Sequence, residues 1–73
     1  MKVGDNVTIV SSDDLRRLRL IALIGRAGTI SEIVKTNSGI IRGYWVALFG
    51  ELYNDEREWF IPKNSVRRNG KRR

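Results

Sequence analysis

A chain of 73 residues allows one domain, at a size where a single apolar core is only just large enough to hold a fold without staples. It has no cysteine and no histidine, which excludes disulfides, thiol chemistry, the usual zinc sites and imidazole acid–base catalysis. No enzyme activity, metal or cofactor is therefore expected. Apolar runs such as Leu20 to Ile24 fall far below the roughly 20 residues of a membrane span. The opening MKVGDN carries no apolar leader, so the expected setting is cytoplasmic. Fourteen Lys and Arg against eight Asp and Glu give a net charge of +6, a balance that favours anionic partners.

In chain order, Gly4-Asp5 makes a turn, and Val7 and Ile9, two apart, share one face of a first strand. Ser11 to Ile24 reads as an inserted helix. Ser11 and Ser12 suit its start, Asp13 and Asp14 its positive end, Leu15, Leu18 and Ala22 recur at helical spacing, and Gly25 is its stop. From Gly28 to Lys35 the chain is rich in branched residues and predicts a second strand, ended by the turn Thr36-Asn37-Ser38-Gly39. Ile41 to Phe49 is a third strand with Tyr44, Val46 and Leu48 on one face and Trp45, Ala47 and Phe49 on the other. Because both faces carry bulk, this strand is central or lies beneath the insert. A turn at Tyr53-Asn54-Asp55-Glu56 precedes a fourth strand, Glu58 to Ile61, closed by Pro62. A tight turn at Lys63-Asn64-Ser65 then leads into a short fifth strand, Val66-Arg67-Arg68. Asn69 to Arg73 holds no apolar residue and reads as a disordered basic tail. The expected organisation is an all-β domain over residues 1–68, a small five-stranded barrel with a short helix between strands one and two, and the tail 69–73.

Val3-Gly4-Asp5-x-Val7-x-Ile9 followed by Gly25-Arg26-Ala27-Gly28-Thr29-Ile30 and Ile33 resembles the KOW motif of ribosomal proteins and NusG-type transcription factors. Ile61-Pro62-Lys63-Asn64-Ser65-Val66 resembles the closing segment of SH3-type barrels. These segments make up less than a third of the 73 residues, and the resemblance implies an SH3-like barrel. Two departures limit what else it implies. The first loop of such proteins is short, whereas Ser11 to Ile24 is inserted here, so loop contacts to nucleic acid do not transfer by position. The tyrosine of peptide-binding SH3 grooves is replaced by Ser65, which argues against proline-rich ligands.

Two classes of function follow. The first is a non-catalytic nucleic-acid-binding module that contacts RNA or DNA phosphates through Arg16, Arg17, Arg19, Arg26, Arg67, Arg68, Lys71, Arg72 and Arg73. A solvated helix face is the plainer account of the first three arginines, and a solubilising end accounts nearly as well for the tail. The second is a protein-interaction module whose apolar surface includes Leu20, Ile24, Trp45 and Phe60. In the strand phases above Trp59 is core, while Trp45 and Phe60 face outward. Aromatic residues in strands stack on bases in some barrels and simply fill the core in most. The carboxylates Asp55, Glu56 and Glu58 beside Tyr53 lack the convergent partners that a catalytic or metal site requires.

Overall fold

The computed structural model describes residues 1–69. Five strands, β1 (Asn6–Ile9), β2 (Ala27–Lys35), β3 (Ile41–Leu48), β4 (Glu58–Pro62) and β5 (Val66–Arg68), form one antiparallel sheet in the order β4-β3-β2-β1-β5. The domain is thus all-β, with the expected helical insert between β1 and β2. The edge strands β4 and β5 are joined by the 3-10 turn Lys63–Ser65 alone. In a flat sheet those edges would lie about 19 Å apart, four spacings of about 4.8 Å. The four Cα steps from Pro62 to Val66 reach at most about 15 Å, and less when wound into a 3-10 turn. The sheet is therefore forced to curl. Pro62, which cannot donate to a ladder, stands on the edge strand β4. Among the described residues no helix is long and apolar enough to cross a membrane.

The concave side holds the core. Val7 and Ile9 of β1, Ile30 of β2, Tyr44, Val46 and Leu48 of β3, Ile61 of β4 and Val66 of β5 are all buried there, following the alternation of the strands. β2 keeps both Ile30 and Ile33 on the core side only because a register shift occurs between them. Ile30 pairs with Val46 and Glu32 with Trp45, leaving Ser31 as the extra residue. Gly28 pairs with Leu48, and a Cβ there would run into the Ala47 carbonyl oxygen and Val46 Cγ1. Close approach of β2 to β3, not an unusual φ, is what requires glycine at that position.

The insert departs from the expected single helix. α1 spans only Asp13–Arg17, with Ser12 as N-cap accepting from Leu15 N. It stops because Arg19 adopts φ 59°, a left-handed conformation. Arg19 N then bonds Arg16 O at 3.0 Å and Leu20 N bonds Leu15 O at 3.2 Å. This is the two-bond Schellman closure, made here with arginine where glycine is usual. A separate 3-10 turn, Ile21–Leu23, follows. The apolar face is accordingly Leu15, Leu20 and Leu23, all buried, while Leu18 and Ala22, expected on that face, are exposed. Gly25 does take a positive φ of 90°, but it ends the 3-10 turn and returns the chain to Ile9 O rather than stopping the α-helix. The insert contributes three leucines, Leu15, Leu20 and Leu23, to the core.

The turn Tyr53 to Glu56 forms as expected. Its central residues Asn54 and Asp55 both have positive φ, and Tyr53 and Glu56 exchange backbone bonds of 3.1 and 2.9 Å, the pattern of a two-residue hairpin turn. At the other end, Asn69 is not part of a disordered tail. Its N–H bonds Asn6 O at 2.9 Å and its side-chain oxygen accepts from the Thr8 hydroxyl at 2.7 Å, extending the β1–β5 ladder. The remainder of the expected tail, Gly70 to Arg73, lies outside the described residues.

Candidate nucleic-acid interface

The basic residues singled out in the sequence do not form one patch. Arg16 donates to Asp13 at 2.6 Å, and Arg17 stands 3.6 Å from Asp14, both pairs one helical turn apart on α1. The first bond holds the Asp13 carboxyl below its ordinary value, chiefly by the hydrogen bond from Arg16 and then by its charge. Such exposed pairs contribute little to stability. Arg19 is exposed at the end of α1. Arg67 and Arg68 are exposed on β5, a charged edge that discourages pairing with another sheet. Lys71, Arg72 and Arg73 lie outside the described residues.

Arg26, expected to contact phosphate, is tied to backbone carbonyls. Its Nη2 donates to the Phe49 carbonyl at 2.9 Å and to the Glu51 carbonyl. Arg57 does the same from the other side of this loop, reaching Leu48 O at 2.7 Å and Gly50 O at 3.3 Å. Two arginines therefore satisfy the carbonyls where β3 runs into the loop toward β4, a structural use of guanidinium donors.

The apolar surface expected at Leu20, Ile24, Trp45 and Phe60 also divides. Leu20 is turned into the core and is 9% exposed, since the Schellman closure brings it against Leu15. Ile24 is exposed. Trp45 and Phe60 oppose one another across β3 and β4 on the outer face of the sheet. Their rings meet edge to face, with centroids 6.1 Å apart and planes at 70°. Trp59, one position before Phe60, faces the core side, where it packs against Tyr53 with ring centroids 5.3 Å apart and donates to Glu56 O.

Beside Phe60 the surface is concave. A groove of about 420 Å³ opens between α1, the start of β3 and the β4-to-β5 turn, within the size range of small-ligand sites. Its lining is apolar at Leu18, Ile40, Ile41, Phe60 and Pro62 and charged at Arg17, Arg42 and Lys63, with one carboxylate, Asp14. Among the described residues neither Arg42 nor Lys63 forms an ion pair. Phe60 lies across Gly43, where a Cβ would approach its Cζ to 2.6 Å, an aromatic ring covering a strand glycine. α1 is pinned alongside by its N-cap. The Ser12 hydroxyl bonds that of Ser65, which is fully buried in the 3-10 turn. Ser65 thus faces inward and is absent from the groove.

Arg42 and Lys63 are the residues of this site that the sequence reading did not single out together with Arg17. Arg42 precedes Gly43 within an apolar strand, and β3 shifts register there. Gly43 pairs with Val34 and Ile41 with Lys35, so Arg42 is the extra residue. A charged residue followed by glycine inside a strand is the local signal for such a bulge. Among the described residues there is no group of three or more carboxylates able to hold a metal ion, and Asp55, Glu56 and Glu58 are spent on the hairpin turn and the start of β4. Comparison with family models, curated proteins and solved structures finds no match to this chain.

Proposed function

We propose that this domain is a nucleic-acid-binding module and that the groove beside α1 is its principal contact, with phosphates held by Arg17, Arg42 and Lys63. The observation that carries this reading is convergence. Three cations from three separate elements surround one recess, and two of them have no carboxylate partner among the described residues. Cations left unpaired around a concavity raise the local positive potential and favour an anionic ligand. Arg19, Arg67 and Arg68 would add contacts along the strand. The KOW-like and SH3-like resemblance belongs to the same reading, supported by the strand order and by the Pro62-to-Val66 turn.

Titration of labelled single-stranded RNA and duplex DNA at two salt concentrations tests it. Binding should weaken steeply with salt, and Arg42→Ala with Lys63→Ala should lower the salt slope by roughly 1.4 on single strands. No binding to either at low salt rejects the proposal.

A second reading, a protein-docking surface, is favoured by Ile21 and Ile24, which are 57% and 41% exposed on the turn whose Leu23 is buried. A strictly monomeric chain in sedimentation removes its self-association form.

A further inference from the structure

We infer that the groove receives one unstacked base of a single-stranded nucleic acid on the Phe60 ring, with the neighbouring phosphates on Arg17, Arg42 and Lys63. This rests on the nucleic-acid reading above and adds the class of strand. Two properties of the groove carry it. The first is that its lining combines apolar and aromatic side chains with three cations against one carboxylate, Asp14, so a ligand that supplies only negative charge leaves the apolar part of the recess unfilled. A nucleotide alternates a flat apolar face with an anion, which is the pattern the groove presents. An acidic peptide without aromatic residues lacks the planar element.

The second property is rigidity. Phe60 is fixed on one side by the backbone of Gly43 and on another by the edge-to-face ring of Trp45, so an aromatic surface is held ready in the free protein. Preorganisation of this kind lowers the ordering cost of binding. A duplex keeps its bases stacked inside and offers only phosphates and groove edges, so it cannot bring a base face to a recessed ring without unstacking. Single strands can, and stacking on an aromatic ring tolerates every base.

The test uses the full chain and matched probes: a single-stranded oligonucleotide, the same sequence as a duplex, and a phosphodiester oligomer of equal length with abasic sugars. Affinity is read by fluorescence anisotropy of the labelled probes. The expected result is binding of the single strand on the order of tenfold tighter than the abasic oligomer, from the loss of a stacked base, with the duplex also weaker. Phe60→Leu should remove most of that difference and leave the salt slope unchanged, whereas Arg42→Ala should lower the slope and keep the difference. Because the abasic comparison is made on the unaltered protein, it stands even where Phe60→Leu fails to fold. Equal, salt-dependent affinity for all three probes overturns the base-stacking inference and leaves the phosphate reading intact. No affinity for any of them, with binding to poly-glutamate instead, overturns both.

Discussion

The hydroxyl of Ser12, which caps α1, and the hydroxyl of Ser65, buried in the turn between β4 and β5, bond one another across 53 positions of chain. Ser12 also accepts from Leu15 N at 3.1 Å, so one oxygen both starts the helix and docks it on the sheet. Ser65→Ala should cost about 1 kcal/mol and Ser12→Ala about 1–2 kcal/mol, since the latter loses a cap as well. In a urea-denaturation double-mutant cycle the two losses should be non-additive. Strictly additive values would show that the serines do not form a joint.

Arg19 closes α1 in a left-handed conformation that costs a side-chain-bearing residue more than glycine. Arg19→Gly should therefore raise stability by about 0.5–1 kcal/mol, partly offset by the greater freedom of glycine in the unfolded chain. The same variant should weaken nucleic-acid binding if Arg19 touches phosphate. A stability gain with unchanged affinity would remove Arg19 from the interface.

Arg26 should behave as a structural residue. Removing two charge-assisted bonds to the Phe49 and Glu51 carbonyls by Arg26→Ala should cost about 2 kcal/mol at this half-buried site. Amide exchange should quicken around residues 49–57, and the salt slope for nucleic acid should not change. A fall in that slope matching Arg42→Ala would return Arg26 to the phosphate contacts.

Asp13 provides the pH-dependent feature. Its folded-state pKa is depressed below the ordinary 3.8, first by the hydrogen bond from Arg16 and then by its charge. A depressed carboxyl pKa means that the pair's stabilisation is present above the unfolded carboxylate range and lost as pH falls through the folded value. NMR titration of the Asp13 carboxyl should therefore show a low midpoint that rises toward the ordinary range in Arg16→Ala and in high salt. An unchanged midpoint in Arg16→Ala would assign the shift to another group.

Much of the sheet was legible in the sequence because its signals are local and repeated. Alternation along Ile41 to Phe49 put Tyr44, Val46 and Leu48 on one face and Trp45 on the other, and the structure makes the first the core face and the second the outer one. A strand has a period of two, so a few residues suffice to set its phase. The Asn54-Asp55 turn was equally readable, since both residues tolerate positive φ. The insert was less so. Helical spacing over so few residues does not select between the Leu15-Leu18-Ala22 face and the Leu15-Leu20-Leu23 face, and the choice was made by Arg19 breaking the helix, which turns Leu20 and Leu23 into the core.

The candidate site belongs almost wholly to tertiary structure. Composition determined that this chain is a small, basic, cysteine-free domain with few reactive groups, and strand patterning determined that it is all-β with a helical interruption. Arg17, Arg42 and Lys63 are each ordinary surface cations in the sequence. Only the curl of the sheet, imposed by the short Pro62-to-Val66 turn, and the docking of α1 through Ser12 and Ser65 bring them around Phe60. The same packing turned Leu20 inward and tied Arg26 to backbone carbonyls, because where a side chain points after a turn depends on which distant backbone it meets.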